Sequence, residues 1–310
     1  MNPNSASLTT FLLLLILMIT VSNYFVANKT DLRLSETRSE IQILLNSPSS
    51  SGAISSPNTP DAIKEYSIRA QKDILESVPR GINQEFYQRV LPEAICKEKV
   101  RIGESADGGK YVCKPEAVMD QKECTIMSLG LNNQIGFDDH IAKVTGGKCK
   151  ILGADMSSKG YLKRSQRFLD GSGVLDNGEQ SQGIKDKYTA INGQLFVGKI
   201  PDTLRLPDMM KKSGRKSVDL LKMDIEGGEQ TGLEPLLKEY SVCQIFIELH
   251  GAPSLHLRML QVMAKYNFRI FNVDPNYRCP LCCEYSLINE SCMEKYGVTP
   301  LTITIPKETV

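Results

Sequence analysis

The sequence predicts an α/β fold built on a mostly parallel sheet with helices on both faces, and three observations support it. Seven short apolar runs recur between residues 125 and 288, several of them near-continuous, as in strands buried on both faces. Helix-like segments fall between most of these runs. The composition leaves a core to bury, with 41% hydrophobic and 24% charged residues and a net charge of +1 over 310 residues. That balance excludes a disordered tail, and it excludes a dedicated nucleic-acid binder, whose basic excess would show. Nine cysteines at this length are too sparse for a small disulfide scaffold. The three histidines, His140, His250 and His256, would all be needed for a three-histidine metal site, so no metal site is assigned.

The chain opens with an apolar address. No charged side chain precedes Lys29, and Phe11 to Val21 is mostly Leu, Ile, Met and Val. Residues 1–28 are expected to be a signal-anchor or a signal peptide. The lack of Lys or Arg before Phe11 favours the retained anchor. Either places the rest of the chain in the secretory pathway, as a single-pass membrane protein with a luminal domain in the ER or Golgi, or as a secreted protein. Asn28-Lys29-Thr30 and Asn289-Glu290-Ser291 match the glycosylation acceptor pattern, which agrees with that compartment. Residues 29–90 read as a stem. Within it, 46–60 is a Ser/Pro/Asn-rich linker, and Asp61 to Val78 carries Ile63, Tyr66, Ala70 and Ile74 at helical spacing between Pro60 and Pro79. Residues 91–310 form the globular domain.

Strands are expected at Thr125–Leu129, Lys150–Ala154, Gln194–Val197, Leu220–Met223, Val242–Leu249, Phe268–Val273 and Tyr285–Ile288. Helices are expected at Phe137–Val144, Pro207–Lys212, Leu233–Tyr240 and Leu255–Tyr266. In such sheets ligands bind beyond the carboxyl ends of the strands, so the residues just after each strand carry the functional argument.

After the first of these strands, Gly130 and Gly136 flank Asn132 and allow close approach of backbone to a ligand. After the second comes Asp155, at the spacing from the glycine turn where a carboxylate holds ribose hydroxyls. The competing structural role is to cap a helix with Ser157 and Ser158. The fourth strand runs into Asp224-Ile225-Glu226-Gly227-Gly228-Glu229, and the fifth ends in Glu248-Leu249-His250. Carboxylates at the mouth of a buried strand are costly unless solvated, paired or employed, and capping a helix dipole accounts for only some of them.

These residues resemble the FkbM-type methyltransferases. The resemblance spans roughly residues 95–290 and rests on Leu220 to Glu229, Arg101-Ile102-Gly103 with Asp107-Gly108-Gly109, Gly130 with Phe137-Asp138, the Asp155 strand, Glu248-Leu249-His250 and Glu284 to Ile288. It looks most like the membrane-anchored animal branch. It implies a class I methyltransferase (Rossmann-like) sheet of seven strands, the last antiparallel, and S-adenosylmethionine as cofactor. Gly130, Asn132, Asp155 and Asp224 are then the expected cofactor-binding residues. Transfer to a hydroxyl needs a base, and Asp224, Glu248 and His250 are the expected catalytic residues, the imidazole having an ordinary pKa of about 6.5. The same Asp–Glu–His set is an alternative donor set for a divalent cation. A luminal O-methyltransferase acting on glycan hydroxyls is the leading expectation. A catalytically silent binding module and a luminal glycosyltransferase are the alternatives.

In an oxidising lumen the cysteines are expected to pair. Cys96 and Cys113 flank a turn they can close. Cys279 and Cys282 have zinc-ligand spacing without a second pair, and Cys243 is expected to be a buried free thiol. Lys211, Lys212, Arg215 and Lys216 read as a helix end and its solvated loop, and Asn276 as a turn residue.

Overall fold

The computed structural model describes residues 59–105, 108–132, 134–155 and 182–306. The anchor expected at 1–28 with Asn28, residues 29–58 of the expected stem, and the serines expected to cap a helix after Asp155 lie outside them. Among the described residues no helix is long and apolar enough to cross a membrane.

Residues 66–310 form one unit, and of the residues before it only 59–65, at the start of the first helix, are described. Its centre is a seven-stranded sheet of β4 (Thr125–Leu129), β5 (Lys150–Asp155), β6 (Gly193–Val197), β7 (Ser217–Met223), β8 (Ser241–His250), β9 (Phe268–Pro275) and β10 (Cys282–Asn289). The spatial order is β6-β5-β4-β7-β8-β10-β9. β4 to β8 pair in parallel, and β10 lies antiparallel between β8 and β9. All seven expected strands are present, and the antiparallel one is the last of the seven in chain order.

Period-two alternation sends side chains to two cores. Met127, Leu129, Leu221, Met223, Ile245 and Ile247 face one side. There they meet helices α5 (Leu206–Ser213), α6 (Glu229–Glu239) and α7 (Pro253–Lys265). Ile126, Leu220 and Phe246 face the other side, against α3 (Gly136–Val144) and α4 (Gln182–Ala190). α4 falls in a stretch where no helix was expected. Two small antiparallel pairs add to the fold: β1 (Ala94–Cys96) with β11 (Val298–Pro300), and β2 (Lys99–Ile102) with β3 (Lys110–Cys113). Buried Glu93 holds the C-terminal segment, accepting from the backbone N–H groups of Thr304 (2.6 Å) and Ile305 (2.8 Å).

Within the span expected as stem, Ile74 on α1 (Pro60–Ser77), Phe86 and Tyr87 on α2 (Asn83–Arg89), and Val90 are buried in the first core. Of the apolar residues at helical spacing on α1, Ala70 and Ile74 are buried, whereas Ile63 and Tyr66 are exposed.

The cysteines pair as Cys96–Cys113, Cys124–Cys149, Cys243–Cys292 and Cys279–Cys282, leaving Cys283 as the buried free thiol. One expectation is corrected: Cys243 is bridged, because its strand position faces the short helical turn carrying Cys292. Cys279 and Cys282 bind each other within the turn before β10. Asn289 is half-buried and donates its amide to the Tyr266 carbonyl at 2.8 Å, so a glycan there would have to leave room for that bond. Lys211 and Lys212 end α5 as expected, whereas Arg215 turns inward to Thr125 Oγ1 (2.9 Å) and the Cys124 carbonyl (3.1 Å).

Candidate active site

The turns after β4 and β7 are pressed together. Gly130 adopts φ +78°, and a Cβ placed on it would lie 1.6 Å from the Asp224 carbonyl oxygen, so only glycine fits. The Gly130 N–H donates to the Ala154 carbonyl (2.9 Å) and the Asp224 N–H to the Leu129 carbonyl (3.1 Å), which fixes three neighbouring strand ends. Lys222, buried within β7, donates its ammonium to the Gly130 carbonyl at 3.0 Å. Asn132 (φ +46°) donates its backbone N–H to Asp155 Oδ2 at 2.7 Å. Over these ends opens a cleft of about 650 Å³ lined by Gly130, Asn132, Asp155, Lys222, Asp224 and Glu226. All four residues expected to bind a cofactor therefore share one hollow.

Beside the cleft lies an ion cluster centred on a residue the sequence reading did not single out. Lys110, at the start of β3, is 1% exposed and sits 2.7 Å from Glu284, 3.5 Å from Glu248 and 4.0 Å from Asp224. Glu248 on β8 and Glu284 on β10 are direct cross-strand partners, so the antiparallel pairing places two buried carboxyls together. Burial pushes the Glu284 carboxyl up to about 7 against the pull of Lys110. Burial, with Asp224 beside it, also raises Glu248. Glu248 Oε1 accepts from Asn276 Nδ2 at 3.0 Å, so Asn276 braces the site as well as forming a turn.

His250 stands at the end of β8, 3.7 Å from Glu229 and 3.9 Å from Glu226. Burial alone would depress it, but the adjacent Glu229 carboxylate, with Asp224 and Glu248, holds it up at about 9. That shift favours the protonated imidazole at neutral pH and tells against His250 as the base. Glu229 accepts from the Ile225 and Gly227 N–H groups, each at 2.8 Å, and so braces the β7 turn. Ligand atoms of Asp224, Glu229 and His250 lie within 4.8 Å of one another, with Glu229 in the place that the sequence reading gave to Glu248, and both Glu229 oxygens are already engaged by the turn. Of the three expected catalytic residues, Asp224 alone lines the cleft; Glu248 is buried behind it in the Lys110 cluster, and His250 is half-buried at the rim.

Sequence reasoning had signals for what it missed. Alternation along Lys110-Tyr111-Val112 puts Lys110 on the inward face with Val112, and Glu284 is a lone carboxylate in a strand buried on both sides.

A seven-stranded sheet with a single reversed strand and a ligand cleft at its carboxyl edge defines the class I methyltransferase architecture. The Methyltransferase FkbM domain family matches residues 94–270, and the chain belongs to this family. It is a methyltransferase, and S-adenosylmethionine is its methyl donor. No curated protein sequence is matched. Among solved structures, the chain is similar to fibrillarin from Aeropyrum pernix with natively bound S-adenosyl-L-methionine (13% identity, 62% of this chain and 84% of that chain, TM-score 0.37). It is also similar to a SAM-dependent methyltransferase from Aquifex aeolicus (15%, 57% and 90%, TM-score 0.32). A third likeness is to precorrin-6y C5,15-methyltransferase from Geobacter metallireducens (7%, 57% and 85%, TM-score 0.34). At these scores it is the family match that places the chain.

The residues present fit that donor. The cleft volume lies within the range of small-molecule sites. Gly130 leaves backbone bare at its floor, Asp155 brings a carboxylate to the end of β5, and Asp224 and Glu226 give it the negative lining that a sulfonium cation needs.

Proposed function

We infer that this methyltransferase transfers its methyl group to a hydroxyl of a glycan in the lumen of the secretory pathway, anchored there by residues 1–28. The observation that carries the acceptor chemistry is the position of Asp224. Its carboxylate lines the donor cleft on one side and faces the Lys110 ammonium at 4.0 Å on the other. Four bridges among the cysteines support an oxidising compartment.

When bound, S-adenosylmethionine supplies an electrophilic methyl carbon on a positively charged sulfur. Asp155 would hold the ribose hydroxyls, and Gly130 and Asn132 the approach of the nucleoside to backbone. Asp224 would orient the acceptor hydroxyl and take its proton, while the donor, when bound, would give up its methyl group with cleavage of the carbon–sulfur bond and leave as the neutral thioether. Lys110, Glu248 and Glu284 hold Asp224 in place from behind. Protonated His250 supplies positive charge at the rim.

The test is transfer of tritiated methyl from labelled cofactor to a pool of released N-glycans, with S-adenosylhomocysteine binding measured by calorimetry. Asp224→Asn is expected to lower transfer by about 10²–10⁴-fold while product binding persists. Cofactor binding without any glycan methylation by the wild type would refute the acceptor assignment. Undiminished transfer by Asp224→Asn would refute its role as base.

A further inference from the structure

The turn joining β9 to β10 carries a surface feature that the donor cleft does not explain. Tyr277 is 79% exposed and Leu281 55% exposed, five residues across a turn from each other in sequence order 277–281. β9 runs in the same direction as β8, so this turn emerges at the sheet's carboxyl edge, and Cys282 at its far end is the register partner of His250. Asn276, next to Tyr277, donates its side-chain amide to Glu248 in the Lys110 cluster. The turn is thus tied to the acidic floor that abuts Asp224.

The turn is built to hold its shape. Cys279 bridges Cys282, and so short a loop gains little from restricting the unfolded chain, so the bridge acts mainly on the turn itself. The Cys279 N–H donates to the Asn276 carbonyl (3.1 Å), and the Gly251 N–H to the Leu281 carbonyl (2.9 Å). Beneath the turn, His256 Nε2 lies 3.2 Å from the same Leu281 carbonyl. Arg278 Nε donates to the Tyr277 hydroxyl at 3.0 Å, with its guanidinium 5.4 Å from the ring centroid. A large ring left in water but fixed in orientation has paid its ordering cost before any ligand arrives.

We propose that Tyr277 is the stacking platform for a pyranose ring of the acceptor, with Leu281 extending the apolar surface and Arg278 meeting the ring's polar edge. One face of a pyranose is lined by C–H groups and packs on an aromatic ring, and here such a ring stands exposed on the turn whose Asn276 bonds Glu248 of the cluster beside Asp224. The assignment rests on the glycan reading of the same site and deepens it, because it makes the β9–β10 turn the element that selects the sugar.

The experiment uses the full chain and the released N-glycan pool in two assays. In methyl transfer, Tyr277→Ala is expected to raise the glycan KM about tenfold with kcat nearly unchanged, and Tyr277→Phe to stay within about twofold of wild type. In saturation-transfer NMR without cofactor, Tyr277→Ala is expected to lose the glycan signal. An unchanged KM and signal in Tyr277→Ala, with the wild type active on glycans, overturns the platform and leaves the glycan reading intact. Glycan binding that needs Tyr277, in a wild type that methylates no glycan, supports the platform and overturns the acceptor reading. A wild type that neither binds nor methylates the pool overturns both.

Discussion

Replacing Lys110 by Met should be the most damaging single change outside the apolar core. The ammonium is 1% exposed and is shared by Glu284 at 2.7 Å, Glu248 at 3.5 Å and Asp224 at 4.0 Å. Removing one partner of a buried ion cluster leaves the others uncompensated, at a cost of about 3–5 kcal/mol. For a folded unit of this size that is a fall in Tm of about 6–20 °C. The penalty should depend on pH in a defined direction. Glu284 is already pushed up to about 7 and Glu248 is raised while Lys110 is present, so without it both gain protons more readily. At pH 5 the orphaned carboxyls are neutral and the loss shrinks, whereas at pH 8 it is paid in full. Urea unfolding of wild type and Lys110→Met at both pH values, disulfides intact, reads this directly. A loss below about 1 kcal/mol at pH 8, or the same loss at pH 5, would refute the reasoning. Lys110→Arg keeps the charge and should recover part of the stability.

Further outcomes follow from other parts of the site. Gly130→Ala should abolish S-adenosylhomocysteine binding in calorimetry, since its Cβ would lie 1.6 Å from the Asp224 carbonyl oxygen and φ there is +78°. Asp155→Ala should weaken that binding by about ten- to a hundredfold, the worth of charge-assisted hydrogen bonds to ribose, and an unchanged affinity would remove Asp155 from the cofactor site. His250, held at about 9, stabilises the fold fully below its unfolded value near 6.5 and loses that contribution as pH rises through 9. His250→Gln should therefore flatten the stability curve between those limits, where the wild type loses on the order of a few kcal/mol. His256, kept neutral by burial at about 4, acts oppositely and should make stability fall as pH drops from 6.5 through 4, visible as a lower Tm in acid.

The sheet was legible because strands buried on both faces must be mostly apolar, and Thr125–Leu129 and Val242–Leu249 are, with only Thr125, Ser128, Gln244 and Glu248 polar. Pairs such as Lys99–Ile102 with Lys110–Cys113 were not, since they are short and half-exposed and their polar residues break the pattern. The same holds for α4, whose apolar content reduces to a few residues such as Ile184 and Tyr188, both buried against the sheet. Within the site, the donor half was readable from chain order, because a parallel strand delivers its last residues to the ligand: Gly130, Asp155 and Asp224 all follow strand ends. The acidic half was less so, because the partnership of Lys110 with Glu284 joins residues 174 positions apart, and nothing local announces that two charges will be buried together. The charge on His250 was hidden for a related reason. It is set first by Glu229 across a turn, with Asp224 and Glu248 adding to it.

The reversed strand β10 divides responsibility within the enzyme. The ends of the parallel strands β4, β5 and β7 shape the hollow for the donor, and a change in any of them disturbs pieces interlocked by backbone. The hairpin from β9 into β10 begins and ends within the same pair of neighbouring strands, so it can lengthen, shorten or change its side chains without moving Gly130 or Asp155. Grafting residues 276–281 from a sibling with another preference should therefore transplant the choice of recipient molecule while the machinery for the common reagent stays untouched.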